Sequence, residues 1–301
     1  MPEFDNATNP ADVTDPAGFA DPADSADPAD SADPAGFGHP ADFVDPVMLQ
    51  THRPHPARIY DYWLGGKDNF PPDRAAAEHA IAAAPDIPQA ARENRAFLRR
   101  AVRLCVEAGV RQFIDIGSGL PAQGNVHEVA QELAPESRVV YIDNDPIVLA
   151  HGRALLASNH STTVLTGDLR DLDELLDRPE LRELIDLSRP VAVLLMAVLH
   201  FIDDDQAAAA VKAVHDRLAP GSFLLLSHST AEGNPQRAAE VVKTWDDTDS
   251  RIRLRGRAEV EGFLTGWEPL EPGVDFVPLW RPDGPTAGST RWMYAGVGRK
   301  P

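Results

Sequence analysis

The sequence predicts an α/β fold: a doubly wound, mostly parallel sheet with an antiparallel C-terminal edge and an N-terminal helical cap. Short apolar runs alternate with helix-forming segments from residue 110 onwards, which is typical of parallel strands covered on both faces. Upstream, residues 73–108 are rich in helix formers. After residue 265 the alternation stops, and two apolar runs follow without a long helix between them. The runs predicted as strands are 112–116, 138–142, 162–166, 190–198, 221–227, 274–279 and 291–298.

Local signals mark where the predicted helices begin and end. Asn125 and Glu128 have the spacing of a capping box ahead of an apolar stripe. Asp145 directly precedes a proline, which is typical of an N-cap followed by the first helical residue. Gly109 is expected to be a C-cap at the end of the long helix before the first strand. The predicted helices therefore lie between the predicted strands, as the doubly wound fold requires.

The chain divides into three predicted parts, residues 1–50, 51–109 and 110–301. In the first part, proline recurs every six residues from Pro10 to Pro46, and 11 acidic residues occur without any Lys or Arg. This spacing of proline breaks helices, and the repeat carries mostly Ala where a β-solenoid would need larger inward side chains. We therefore expect a disordered acidic tail, whose role as a partner-binding or solubilising segment stays open. The second part is predicted to be a lid and helical cap, and the third the α/β domain.

Composition restricts the classes of function. The net charge is −19 overall and −8 over residues 51–301, which argues against a nucleic-acid surface because phosphate contacts need clustered Lys and Arg. No apolar run approaches the ~20 residues of a membrane span, and the N-terminus lacks the features of a signal peptide. The single cysteine, Cys105, allows no internal disulfide and is expected in a helix core. The sequence thus predicts a soluble, cytoplasmic protein without a metal site.

A Gly-rich turn follows the first predicted strand, in the segment DIGSGLP. Gly117 and Gly119, with Ser118 between them, permit a tight turn in which backbone N–H groups approach a ligand. Asp115 stands where a dinucleotide-binding fingerprint usually has an apolar residue, and the third glycine of that fingerprint is displaced. A carboxylate at this position would repel a pyrophosphate, but it suits a ligand that carries an ammonium or sulfonium group.

Two further acids stand at the ends of the next two predicted strands, where ligands bind in doubly wound sheets. Asp143 ends the second strand and can accept both hydroxyls of a ribose, whereas Asp168 follows the third strand and can accept the amino group of an adenine. Three acids around a Gly-rich loop describe an adenosine that carries positive charge and no phosphate, which is S-adenosylmethionine. The other residues predicted to contact this cofactor are Asn144, Leu169, Met196 and Ala197.

Five segments of the chain resemble a known family. RIYDYWLGGKDNF, FIDIGSGLPAQGNVHEVAQ, VVYIDNDPIVLAH, GDLRD and AVLHFIDD are similar to the S-adenosylmethionine-dependent methyltransferase family, common in actinobacteria, that was long catalogued as a domain of unknown function. The resemblance covers roughly residues 51–301. It implies a class I, Rossmann-like methyltransferase fold and S-adenosylmethionine as the cofactor, but no substrate. Family members often have Thr after GLP, where this chain has Ala122, so one polar contact is expected to be absent.

The segment RIYDYWLGGKDNF, residues 58–70, is predicted to cover the bound methionine moiety as a lid. Its aromatic side chains would wall the methyl-transfer site and attract a sulfonium through their π faces. A Gly-Gly pair would supply the bend, and a basic side chain would pair with the methionine carboxylate. The alternative is an aromatic cluster that holds an N-terminal subdomain on the sheet. The residues concerned are Arg58, Tyr60, Tyr62, Trp63, Gly66 and Lys67.

Catalysis is expected to need few side chains, because methyl transfer is an in-line displacement that gains mainly from alignment. A general base helps only when the acceptor loses a proton. His200, after the fourth predicted strand, is the best candidate for such a base, and His228, after the fifth, is the second. The predicted activity is methyl transfer to an unidentified small-molecule acceptor. A non-catalytic S-adenosylmethionine-binding regulator and a nicotinamide-dependent oxidoreductase are the alternatives, and Asp115 counts against the latter.

Overall fold

The computed structural model describes residues 50–301 except 123, 157–158, 244 and 246–250. The tail predicted over residues 1–50 lies outside this part of the chain, apart from Gln50. None of the helices in the described part has both the length and the apolar character needed to cross a membrane.

A mixed sheet forms the centre of the described region. Its strands are β1 (Gln112–Ile116), β2 (Arg138–Asp143), β3 (Thr162–Thr166), β4 (Ala192–Met196), β5 (Phe223–Ser229), β6 (Glu268–Pro269), β7 (Asp275–Phe276) and β8 (Met293–Arg299). They lie in the order β3-β2-β1-β4-β5-β8-β6, and β7 also pairs with β8. Strands β1 to β5 are parallel, whereas β8 runs antiparallel to β5 and to the two short strands. The predicted doubly wound sheet with an antiparallel C-terminal edge is confirmed.

Helices precede the sheet and cover both of its faces. They are α1 (Pro56–Trp63), α2 (Pro71–Ala83), α3 (Ile87–Glu107), α4 (Val126–Leu133), α5 (Pro146–Leu156), α6 (Leu172–Leu175), α7 (Pro179–Leu184), α8 (Asp204–Arg217), α9 (Pro235–Lys243) and α10 (Arg257–Gly262). Alternating side chains of β1 enter two different cores: Ile114 and Ile116 pack with α6, α7, α8 and α10, and Phe113 packs with α3 and α4. The sheet is therefore the middle of three layers.

The predicted helix ends are present. The Asn125 N–H donates to Glu128 Oε2 at 2.9 Å in a capping box at the start of α4. The Asp145 Oδ1 accepts from the N–H of Ile147 at 2.8 Å, so this carboxylate caps α5. Gly109, with a φ of +91°, ends the turn after α3. Capping hydrogen bonds and one glycine thus fix the start of α4, the start of α5 and the end of α3.

Two predicted strands are shorter than their apolar runs. The run 190–198 contains β4 only over Ala192–Met196, because Ala197 adopts a φ of +56° and turns the chain out of the sheet. The run 274–279 forms the two-residue strand β7, and a 3₁₀ turn over Val277–Leu279 replaces the rest. Pro278 lies in that turn and lacks the N–H that a longer strand would need.

Candidate active site

A cavity of about 290 Å³ opens at the carboxyl ends of the parallel strands, beneath α1 and α3. The side of the cavity next to β1, β2 and β3 is called the polar half; it is lined by His55, Asp61, Asn94, Arg95, Asp115, Gly117, Ser118, Gly119, Ala122, Asp143, Asn144, Gly167, Asp168, Leu169 and Arg170. The side beyond β4 and β5 is called the apolar half; it is lined by Tyr60, Trp63, Ile87, His200, Phe201, Ile202, Ser229, Thr230, Ala238, Val241, Val242, Trp245, Ile252, Leu254, Trp292 and Met293. Met196 and Ala197 at the end of β4 also line the cavity, between the two halves.

The Gly-rich turn after β1 forms one wall of the polar half. Gly117 has a φ of +68°, and a Cβ there would lie 2.5 Å from a methyl group of Val198. Gly119 has a φ of +67°, and its N–H donates to Asp143 Oδ2 at 2.8 Å. Both glycines therefore meet a backbone requirement that other residues would satisfy only with strain. The turn and the acid of β2 are held together by this hydrogen bond.

Asp115 is a buried carboxyl group that faces the polar half. Burial raises the pKa of Asp115 to about 7; the Arg95 guanidinium acts in the opposite direction, and Asp143 adds to the rise. No hydrogen bond stabilises its charged form within the described residues. A bound cation would supply the missing stabilisation of the carboxylate.

Asp143 ends β2 and is fixed by two backbone donors. Its Oδ2 accepts from Gly119, and its Oδ1 accepts from the N–H of Asp145 at 2.9 Å. Burial raises the pKa of Asp143, against the effect of these two N–H groups. Each carboxylate oxygen can accept a second hydrogen bond, so the side chain is oriented and still able to bind a ligand.

Asp168, after β3, already pairs with a neighbour. Its Oδ1 accepts from Nε of Arg170 at 2.8 Å, and its Oδ2 accepts from Asn144 Nδ2 at 3.2 Å. The hydrogen bond from Arg170 is the main cause that lowers the pKa of Asp168 to about 2. The predicted adenine contact therefore lies in a preformed group of Asn144, Asp168 and Arg170, which is ionised at neutral pH.

Two residues of α3 in the polar half were missed by the sequence reasoning. Asn94 donates from Nδ2 to the Tyr60 hydroxyl at 3.0 Å, but its buried Oδ1 has no hydrogen-bond partner in the described structure. Arg95 donates from one terminal nitrogen to the Gly124 carbonyl at 3.1 Å, whereas its Nε is buried and equally unpaired among the described atoms. A free acceptor and a free donor thus lie on adjacent residues beside Asp115. Buried polar atoms of this kind require a partner.

Of the six residues predicted in the lid, two line the cavity. Tyr60 and Trp63 belong to the apolar half. Arg58 is buried instead, with Nε 3.2 Å from Asp145 Oδ2, so its guanidinium joins α1 to the start of α5 and is not part of the lining. The Tyr62 hydroxyl bonds to Glu78, away from the cavity. The other two, Gly66 and the exposed Lys67, also lie outside the lining.

The two glycines of the bend after α1 are needed for different physical reasons. The positive φ, +82°, belongs to Gly65, with open space around its Cβ position. Gly66 is needed for a close approach, because a Cβ there would lie 1.9 Å from Asp61 Oδ1. The Asp61 carboxylate accepts from the N–H of Asp68 at 3.0 Å and from Asn69 Nδ2 at 2.8 Å, and so closes the turn.

The two candidate bases have different surroundings. His200 lines the apolar half, and its Nδ1 accepts from the Ser229 N–H at 3.4 Å. His228 is outside the lining, and both of its nitrogens are used: Nδ1 bonds to the Ser229 carbonyl at 2.8 Å, and Nε2 accepts from Arg255 at 2.9 Å. Burial lowers the pKa of His228 to about 4 and holds the pKa of His200 well below its usual value. His228 therefore has no free nitrogen for an acceptor.

Across the described ranges, no group of three or more His, Cys, Asp or Glu side chains is arranged to hold a metal ion.

Residues 44–301 match the family model described as S-adenosyl methyltransferase. A DUF574 family protein from Streptomyces avermitilis is 44% identical, with a TM-score of 0.81, over 84% of this chain and 100% of that one. A putative methyltransferase from Thermobifida fusca is 42% identical, with a TM-score of 0.80, over 85% and 97% of the two chains.

A curated relative shares a shorter region. Carboxy-S-adenosyl-L-methionine synthase from Geobacter metallireducens is 32% identical over 104 residues, which are 34% of this chain and 38% of that protein. The chain thus spans less than half the length of the curated relatives that it matches. The match over residues 44–301 and the two solved structures decide the family. The chain belongs to the S-adenosyl methyltransferase family and has its Rossmann-like fold.

Proposed function

We propose that the protein methylates a small-molecule acceptor, with S-adenosylmethionine held in the polar half of the cavity and the acceptor in the apolar half. The observation that carries the proposal is the unpaired pair on α3. Arg95 Nε is a buried donor and Asn94 Oδ1 a buried acceptor without partners among the described residues. The amino-acid end of the cofactor carries one carboxylate and one ammonium, which are the groups that such a donor and acceptor require.

The residues of the polar half fit the rest of the cofactor. Arg95 would bind the methionine carboxylate, and Asn94 with Asp115 would bind the ammonium. Asp143 would accept the ribose hydroxyls, since both of its oxygens keep acceptor capacity beyond their backbone bonds. Asp168 would take the adenine amino group. The remaining proposed contacts of the cofactor are Gly117, Ser118, Gly119, Asn144, Leu169, Met196 and Ala197, all of which line the cavity.

When bound, the cofactor supplies an electrophilic methyl group on a sulfonium centre. The protein's own contribution is alignment and exclusion of water, which together supply several kcal/mol of a displacement barrier. Tyr60 and Trp63 lie on the lining and offer aromatic faces, which attract a cation by about 0.5–2 kcal/mol. We assign them to the wall of the transfer site.

The hydrogen bond at Nδ1 of His200 supports a role as a donor rather than as the predicted base. Its Nδ1 accepts from the Ser229 backbone, so the proton of the neutral ring is assigned to Nε2. A ring with its lone pair engaged and a low pKa is a poor proton acceptor at neutral pH. His200 therefore acts as a hydrogen-bond donor toward the acceptor, and a proton lost by the acceptor would pass to water.

Two earlier alternatives lose support. A nicotinamide cofactor would place a pyrophosphate at the Gly-rich turn, next to the unstabilised carboxyl of Asp115. The match to a family described as S-adenosyl methyltransferase supports methyl transfer over a non-catalytic regulator. The cytoplasmic location and the absence of nucleic-acid binding remain predictions from the sequence.

Calorimetric titration with S-adenosylmethionine tests the proposal. Arg95→Met should weaken binding by roughly 10- to 150-fold, because a hydrogen bond between charged groups is worth about 1.5–3 kcal/mol. Arg92→Met is the matched control, since Arg92 is exposed on the same helix and outside the lining, and it should bind like the wild type. Wild-type affinity in Arg95→Met would reject the assignment. Formation of S-adenosylhomocysteine from S-adenosylmethionine, with a metabolite extract as the source of acceptor, then tests the transfer itself.

A further inference from the structure

The side chains that line the apolar half indicate which class of acceptor would fit there. Its described lining contains no Asp, Glu, Lys or Arg side chain. An ion placed there would lose its hydration without gaining a charged partner from these residues, and this cost exceeds the about 0.5–2 kcal/mol that an aromatic face returns to a cation. The walls consist instead of aliphatic and aromatic groups, so the chamber favours an uncharged ligand.

Several aromatic rings line this chamber. Trp245 stands edge-to-face with Trp63, with ring centroids 6.1 Å apart and planes at 76°. Its centroid is also 5.4 Å from that of Phe201. Rings at such angles leave a face or an edge for a further ring, and each aromatic pair adds about 0.5–1.5 kcal/mol beyond simple burial. A planar aromatic ligand matches this lining.

Two polar groups of the lining, the Tyr60 hydroxyl and the Trp63 Nε1, are hydrogen-bonded to other protein atoms. The Tyr60 hydroxyl donates to the Ala91 carbonyl at 3.0 Å and accepts from Asn94 at 3.0 Å. The Trp63 Nε1 donates to the Ala77 carbonyl at 3.4 Å. His200 differs, because only its Nδ1 is bonded, and its Nε2 has no hydrogen-bond partner among the described residues. Nε2 of His200 is thus a donor at a defined place in the chamber.

The ring of His200 is held in its neutral state. Burial lowers its pKa, and the neighbouring His228 and Arg255 act in the same direction. The rings of His200 and His228 are 5.5 Å apart, and the Arg255 guanidinium bonds to His228. A second positive charge in this group would be repelled, so Nε2–H is a neutral donor rather than an ion.

Resting on the proposed function, we infer that the methyl acceptor is a neutral, planar aromatic molecule that presents a hydrogen-bond-accepting atom to Nε2 of His200. Three independent observations support this assignment: the uncharged lining, the angled aromatic rings and the unpaired Nε2 of His200. Anionic and cationic acceptors of the same size are disfavoured by the first, and purely hydrocarbon rings gain nothing from the third.

The test uses four probes of nearly equal size with protein saturated by S-adenosylhomocysteine: naphthalene, quinoline, 2-naphthoate and 2-naphthylmethylammonium. Dissociation constants are measured by tryptophan fluorescence at neutral pH. Naphthalene and quinoline should each bind at least about ten times more tightly than 2-naphthoate and 2-naphthylmethylammonium. Quinoline, which replaces one CH by a nitrogen acceptor, should exceed naphthalene by roughly 2- to 10-fold, the worth of one neutral hydrogen bond.

His200→Phe should remove the advantage of quinoline and leave naphthalene within about twofold of its wild-type affinity. A second pair of variants avoids the buried histidine: Val242→Glu should increase the affinity for 2-naphthylmethylammonium by about tenfold, and Val242→Leu should not. An ion that binds as tightly as naphthalene, a quinoline preference that survives His200→Phe, or no response to Val242→Glu would each overturn the inference.

Titration with S-adenosylhomocysteine distinguishes a failure of the proposed function from a failure of the inferred acceptor class. If this ligand binds and the charged probes are preferred, the proposed function stands and the acceptor class is wrong. If S-adenosylhomocysteine does not bind at all, the assignment of the polar half fails, and the inference about the apolar half fails with it.

Discussion

The two halves of the cavity are built in different ways. The polar half follows three consecutive strands, and its acids Asp115, Asp143 and Asp168 stand within two residues of the strand ends. The apolar half is assembled from side chains far apart in the chain, such as Trp63, Phe201 and Trp292. A site at successive strand ends can be recognised in the sequence, because its residues follow the predicted strands at regular positions. A site assembled from scattered loops and helices gives no such pattern. This is why the cofactor could be named before the structure and the acceptor could not.

One buried network links the halves. Arg58 on α1 lies 3.2 Å from Asp145, and the Asp145 N–H donates to Asp143. Asp73 at the start of α2 is fully buried and accepts from the N–H groups of His55 and Phe70 at 2.8 Å. The helix that carries Tyr60 and Trp63 is thereby fixed to the strand end that would hold the ribose. These contacts support the alternative of a cluster that holds the N-terminal subdomain on the sheet.

The largest expected effect concerns the polar half. Asp143→Ala should weaken S-adenosylmethionine binding by about 1–3 kcal/mol, because two ribose hydroxyls would lose a charged acceptor. Isothermal titration measures the loss, and Asp216→Ala, at an exposed carboxylate far from the lining, is the control. Unchanged affinity in Asp143→Ala would remove this residue from the site and with it the contrast between the halves.

Gly66→Ala should lower the free energy of unfolding rather than the affinity. The new Cβ would lie 1.9 Å from the Asp61 carboxylate, which must then give up the turn that it closes. We expect about 1–3 kcal/mol of destabilisation, as for other overpacked sites. Denaturant unfolding is the measurement, with Gly284→Ala as control because its Cβ position is open. An equal effect of both substitutions would disprove the close-approach argument.

More of the fold than of the candidate site could be predicted from the sequence. Strands β1 and β3 have the predicted bounds because their apolar runs end at Gly or polar residues. Strand β7 was overestimated, since Pro278 ends it early. Asn94 was missed although a signal existed: it is a polar residue on the buried stripe of α3 between Ala91 and Phe97. Arg95 had no such signal, because five arginines of this helix look alike until its orientation on the sheet is known.

The pH dependence of cofactor binding reports on Asp115. With a pKa of about 7, its carboxyl is mostly protonated at pH 6, and a bound ammonium would favour the ionised form. Binding should therefore release a proton, and affinity should rise roughly eightfold from pH 6.0 to 7.5. Calorimetry in buffers with different ionisation enthalpies measures the proton release. The same rise in Asp115→Asn would show that another group is responsible.

The smallest effects are expected on the outer face of α1, and they decide between a fixed wall and a lid. Tyr62→Phe and Lys67→Ala should change cofactor affinity by less than about 0.5 kcal/mol, because neither side chain lines the cavity. Since Arg58 and Ile59 are buried against the rest of the protein, amide exchange over residues 57–63 should already be slow in the free protein. Cofactor binding should then slow it no more than in α3. Exchange that is fast without cofactor and selectively slowed by it would establish the lid, and α1 would become a moving part of the apolar half rather than its fixed wall.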